Sequence, residues 1–230
     1  MKLNKEQIDR LYEFTRQHYV EFYDLQTELV DHLANSIESQ WQENPKLTFE
    51  DALQIEFKKF GIFGFSDVVE KRQIALNKKY NKIVWKHFKS FFTLPKIIGT
   101  IGAIGLINLL LSKLFFKSDI VLILFGLIVI SFCFSIVYFS RKNNKDYNLS
   151  GKKWLFKEII LGRSSLVGMV NLPIQIIIHS EKVLDTSFGV LAISFLLVSM
   201  TLIEYVVLIE IPRRAEEYLK ETYPEYNFVA

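Results

Sequence analysis

The sequence predicts an all-α fold: a small N-terminal cytoplasmic helical bundle followed by four transmembrane helices. Three observations predict it. Four apolar stretches in the second half each approach the ~20 residues that a helix needs to cross a bilayer core. The first ninety residues carry apolar side chains at helical spacing, punctuated by cap and stop residues. Charge is also segregated along the chain. Residues 1–70 hold 7 Lys/Arg against 14 Asp/Glu, residues 71–157 hold 16 against 2, and residues 158–230 hold 5 against 9. The overall +3 therefore conceals an acidic head, a basic waist and an apolar body. This distribution, with a single cysteine, excludes a disordered chain, a disulfide scaffold and a uniformly basic nucleic-acid binder.

The acidic head spans residues 1–70. Asn4 ahead of Lys5-Glu6-Gln7 has the cap-plus-Gln spacing of a helix start. Ile8, Leu11, Tyr12, Thr15, Tyr19 and Phe22 then recur at helical spacing. Asp24 is positioned to cap a second helix with the stripe Leu29, Val30, Leu33, Ile37 and Trp41, which Asn44-Pro45 breaks. Thr48 opens a third helix, whose acids Glu50 and Asp51 lie where the helix dipole favours them. Its apolar face is Phe49, Ala52, Leu53, Phe57 and Phe60, and Gly61 is its stop. Ser66 caps a fourth helix free of Pro and Gly through residue 94, whose basic part forms a juxtamembrane stalk over 71–96.

The run Glu28-Leu29-Val30-Asp31-His32-Leu33, then Leu47-Thr48-Phe49-Glu50-Asp51-Ala52-Leu53 and Lys59-Phe60-Gly61, resembles the helical HAAS-type prefix domain that precedes membrane spans in bacterial proteins. The resemblance covers about residues 5–75, and the aromatic loop Phe63-Gly64-Phe65 departs from it. It implies a cytoplasmic interaction or sensing module on a protein of the bacterial inner membrane, and supplies no catalytic residues.

The transmembrane domain is expected over 97–211, with spans at 97–116, 120–140, 159–179 and 188–211, and a cytoplasmic tail over 212–230. Lys and Arg in the flanks set the orientation. Eight precede the first span, and Arg141, Lys142, Lys145, Lys152, Lys153 and Lys157 separate the second from the third. The opposite loops offer only Lys113, Lys117 and Lys182, so both termini are expected in the cytoplasm. No apolar h-region occurs in the first seventy residues, so the first span is expected to act as its own insertion signal. Cys133, in the middle of the second span, reads as a small apolar filler.

Candidate binding residues follow from this layout. Lys78, Lys79, Lys82, Lys86 and Lys89, interleaved with Trp85 and Phe88, suit anionic lipid headgroups, each worth roughly 1 kcal/mol near the surface. Their closeness to the first span and the acidity of the head argue against nucleic acid. Glu28, Asp31 and His32, with His18 nearby, have ligand chemistry for a divalent ion, but no second His at helical spacing completes a pair. A solvated acidic face is the preferred reading, with neither metal nor cofactor expected. A charge in hydrocarbon costs at least about 2.5–3.5 kcal/mol, so Arg163 and Glu204 are expected to pair inside the membrane.

Ser164, Gly168, Asn171, Gln175 and His179 share one face of the third span. They read as a polar packing seam, and Gly99 and Ala103 repeat the small-residue spacing in the first span. Phosphate-binding Gly loops, nucleophile elbows and HExxH or CxxC motifs are all absent. An acid–base pair near the interface would have to come from Glu158, Glu204 or Glu210 with His87. The expected role is a non-enzymatic accessory or regulatory subunit, docking another membrane or cytoplasmic protein, or a second copy, through its head. The alternative is a small transporter or channel component using the third-span stripe.

Overall fold

The structure, a computed structural model, describes residues 2–161, 175, 183–223 and 226. The described residues are all-helical, without a strand among them. The chain forms two compact units, one of Met1–Leu76 with Tyr147–Lys157, the other of Asn77–Asp146 with Glu158–Ala230.

The first unit contains α1 (Lys5–Gln17), α2 (Tyr23–Glu43), α3 (Phe49–Lys58) and the beginning of α4 (Ser66–Ser90). The caps at Asn4 and Thr48 form as the sequence predicts. Asn4 Oδ1 accepts the Gln7 N–H at 2.8 Å while Gln7 Oε1 accepts the Asn4 N–H at 2.9 Å, and Thr48 Oγ1 accepts the Asp51 N–H at 3.2 Å. Leu11 and Phe14 of α1, the full α2 stripe from Leu29 to Trp41, and Ala52 and Leu53 of α3 are buried. Phe65 completes this core, its ring 4.9 Å from Phe60, 5.0 Å from Phe57 and 6.1 Å from Phe14. Trp41 Nε1 donates to the Leu47 carbonyl at 2.9 Å, tying the end of α2 to the turn before α3.

Three local expectations are corrected. Tyr19 is not on the buried stripe: α1 ends at Gln17, Tyr19 takes a left-handed φ of 64°, and Val20 is buried instead. Asp24 is not a cap, because α2 begins at Tyr23 and Asp24 lies buried in its first turn. Ser66 is the first helical residue of α4 rather than the residue before it.

The second unit holds the rest of α4, then α5 (Lys96–Lys113), α6 (Lys117–Ser150) and α7 (Leu155–Ile160), both shared with the first unit, α8 (Ser187–Tyr205) and α9 (Ala215–Thr222). Between α8 and α9 the helix widens into a π segment, Val206–Glu210, followed by one turn, Ile211–Arg213. Pro212 has no N–H to return to the carbonyl four residues back, and the Ile211 N–H reaches the carbonyl of Val206 instead.

Among the described residues, three helices are long and apolar enough to cross a membrane: Lys96–Lys113, Lys117–Ser150 and Ser187–Arg213. Their bounds differ from the expected spans. α5 stops at Lys113 because Leu114 is extended, whereas α6 continues ten residues past 140 through a polar run uninterrupted by Pro or Gly. The third expected span, 159–179, lies outside the described residues except at 159–161 and 175. Val121, Phe125, Ile128 and Phe132 of α6 form one buried cluster with Leu111 of α5 and Val190, Ile193 and Leu197 of α8. The opposite faces stay apolar and exposed, at Ile98, Ile101 and Leu106 on α5 and Leu122, Ile130 and Phe134 on α6, the pattern of helices surrounded by lipid. Cys133 is on that outward face.

Candidate functional site

Two polar constellations stand out, one in each unit. In the first unit, the N-terminus of α2 grips the segment that follows α6. Phe22 provides no side-chain cap for α2, leaving its first N–H groups open. The carbonyl of Lys153 fills that role, accepting the Tyr23 N–H at 2.7 Å. Asp24 Oδ1 accepts the Leu155 N–H at 3.0 Å, and the Lys153 ammonium pairs with Glu21 at 2.7 Å. Lys152 Nζ lies 4.3 Å from the centre of the Tyr23 ring, and that ring meets Trp154 edge-on at 5.3 Å. Trp154, Leu155 and Phe156 are buried. A four-residue acidic and aromatic stretch, Glu21-Phe22-Tyr23-Asp24, thus holds a basic and apolar one, Lys152-Lys153-Trp154-Leu155. Both partners are visible in the sequence as complementary charge, but Trp154-Leu155-Phe156 reads there as part of a basic loop rather than as core.

In the second unit, the polar cluster sits where α4, the π segment and α9 meet. His87 Nε2 and the Tyr218 hydroxyl are 2.8 Å apart, and Lys79 Nζ donates to Thr222 Oγ1 at 2.7 Å. Glu210 pairs with Arg214 at 3.2 Å and lies 3.7 Å from His87 Nδ1, too far for a hydrogen bond. Burial, outweighing the opposing pull of Glu210, lowers the His87 pKa below the ordinary histidine value, and burial first raises that of the Tyr218 phenol. The two therefore meet as a neutral imidazole and a protonated phenol at neutral pH. Alongside, a groove of about 440 Å³ runs between α5 and α8. Its mouth carries His87, Ser90, Lys96 and Glu210, and its floor Gly99, Ala103, Val198 and Leu202.

Of the residues singled out from sequence, Arg163, Ser164, Gly168, Asn171 and His179 lie outside the described residues, so neither the Arg163–Glu204 pair nor the stripe is described. Gln175, the described member of the stripe, is exposed. Glu204 accepts a hydrogen bond from Ser131 of α6. Sequence reasoning overlooked Ser131, although it is a polar residue near the middle of an uncharged span. Lys78, Lys82, Lys86 and Lys89 recur at helical spacing and are exposed, with Lys89 Nζ 5.4 Å from the centre of the Trp85 ring, whereas Lys79 is turned onto Thr222. Glu28 meets Arg72 at 3.8 Å and His32 packs near the Phe60 ring at 5.8 Å. Of the acid–base candidates, the structure brings Glu210 near His87, ties Glu204 to Ser131 and joins Glu158 to Asn143. Comparison with protein-family models, with curated proteins and with solved structures found no match, so the functional reading rests on the residues themselves.

Proposed function

We propose that this chain is a non-enzymatic accessory or regulatory subunit of the bacterial inner membrane, with a HAAS-like cytoplasmic head that docks a protein partner. In this reading four spans cross the bilayer with both termini inside. The exposed lysines of α4 rest on anionic headgroups, and no nucleic acid is bound.

One observation carries the docking role. The turn between α3 and α4 projects Ile62, 99% exposed, and Phe63, 71% exposed, beside a well-packed aromatic core. Gly61 and Gly64 hold that turn at φ of 76° and 54°, and Gly64 also packs against the Phe57 ring, where an added Cβ would come within 3.0 Å. A rigid turn presenting two large apolar side chains to water suits recognition better than stability. The clasp on residues 147–157 supports a regulatory role, since the head holds the segment leading out of α6. It supports the orientation as well: residues 1–76 and 147–157 share a unit, so the chain between them must cross a membrane an even number of times.

The double substitution Ile62→Ser with Phe63→Ser should abolish co-purification of the partner after mild detergent extraction. The thermal midpoint should stay unchanged, because neither side chain is in the core. Wild-type protein recovered as a lone monomer across several mild detergents would overturn the subunit reading.

A further inference from the structure

We propose that the groove between α5 and α8 binds one anionic phospholipid, its phosphate at Lys96 and the upper part of an acyl chain along Gly99, Ala103, Val198 and Leu202. This rests on α5 and α8 lying in a membrane, and is independent of what the head docks.

The groove changes character along its length. Lys96 and Glu210 lie at one end, and the side of α5 then offers only Gly99, Thr100 and Ala103. Seven residues of helix separate Lys96 from Ala103, a rise of about 10 Å, so the polar-to-apolar gradient matches an amphiphile lying along the bilayer normal. Among the described residues, a Cβ built on Gly99 meets nothing within 4 Å, and the Thr100 hydroxyl turns back to donate to the Phe91 carbonyl at 3.0 Å. Among these residues, Gly99 therefore borders open space at the groove.

The charge at the mouth selects the headgroup. Lys96 Nζ lies 4.8 Å from the centre of the Phe91 ring and makes no ion pair among the described residues. Among the described lining residues Glu210 is the one carboxylate, and Arg214 engages it at 3.2 Å. The mouth thus presents a cation with a free valence and an acid already neutralised, which suits a phosphate diester better than an ammonium group. A membrane lipid supplies both that phosphate and the apolar chain needed to fill the floor.

The test uses the full chain in phosphatidylcholine nanodiscs titrated with phosphatidylglycerol, read by native mass spectrometry after partial delipidation. Wild type should retain one phosphatidylglycerol in preference to phosphatidylcholine. Lys96→Glu should weaken that retention about tenfold or more, since it removes one near-surface attraction and adds a repulsion. Lys58→Glu, the same charge change at an exposed position of α3 in the first unit, should leave it unchanged. Gly99→Trp should block retention by filling the floor. In case that variant fails to fold, a phosphatidylglycerol carrying a photoreactive acyl chain provides a second readout on wild type, where label should concentrate at residues 99–103 and 198–202. Equal retention of the two lipids, indifference to Lys96→Glu, an equal loss in Lys58→Glu, or label spread evenly over α5 and α6 would each overturn the proposal. Displacement of the lipid by free glycerol phosphate at millimolar concentration would also overturn it, reducing the site to headgroup recognition alone.

Discussion

Phe65→Ala should destabilise the first unit by about 3–5 kcal/mol, the range for removing a large buried aromatic side chain. Phe65 is 1% exposed and touches α1 and α3 together, through Phe14, Phe57 and Phe60. It also follows Gly64, whose backbone is already pressed against Phe57, so the chain has little freedom to collapse into the cavity. Amide hydrogen exchange on the full protein resolves the effect. Exchange across α1, α2 and α3 should accelerate by roughly two to four orders of magnitude, about what 3–5 kcal/mol yields. Exchange in α8, which belongs to the other unit, should not change. An unaltered first unit would mean that this aromatic cluster does not hold the head together.

Asp24→Ala should release the segment 147–157 from the head. The substitution deletes a charged acceptor and leaves the Leu155 N–H buried without that partner, a loss of about 1.5–3 kcal/mol. Local opening of the clasp should rise by roughly 10- to 100-fold, with tryptic cleavage after Lys152 and Lys153 rising in step. Asp24→Asn keeps an acceptor of the same shape and should lose markedly less. If wild type and Asp24→Ala are cleaved at equal rates, the clasp is not formed in solution.

Much of the fold was legible because its signals are local. The capping box at Asn4 and Gln7, the Thr48 cap and the α2 stripe each depend on residues within a few turns of one another, and sequence spacing captures such relations directly. The misreadings share the opposite property. Tyr19 continues the apolar period of α1, yet the helix has already ended, and a left-handed residue after it turns the side chain to water. Asp24 has the chemistry of a cap, but its acceptor is committed to a backbone N–H 131 positions away. Periodicity carries no information about so distant a partner. Ser131 was hidden in another way: one hydroxyl in a span barely changes hydropathy, and only the juxtaposition of α6 with the end of α8 reveals Glu204 beside it. Glu210 and His87 were noticed as a pair by composition, whereas the groove beside them depends on what Gly99 and Ala103 do not fill.

The most direct test of the proposed topology, with the head and the α6 exit on one inner face, is labelling of single cysteines. In a Cys133→Ser background, one cysteine is placed at Ser39 in α2, at Phe115 between α5 and α6, or at Leu149 at the end of α6; all three positions are exposed. In intact cells a membrane-impermeant maleimide should label only position 115, and permeabilisation should expose 39 and 149 together. Labelling of 39 or 149 in intact cells, or identical behaviour of 115 and 149, would contradict the crossing of the membrane by α5 and α6 and the placement of the acidic head inside.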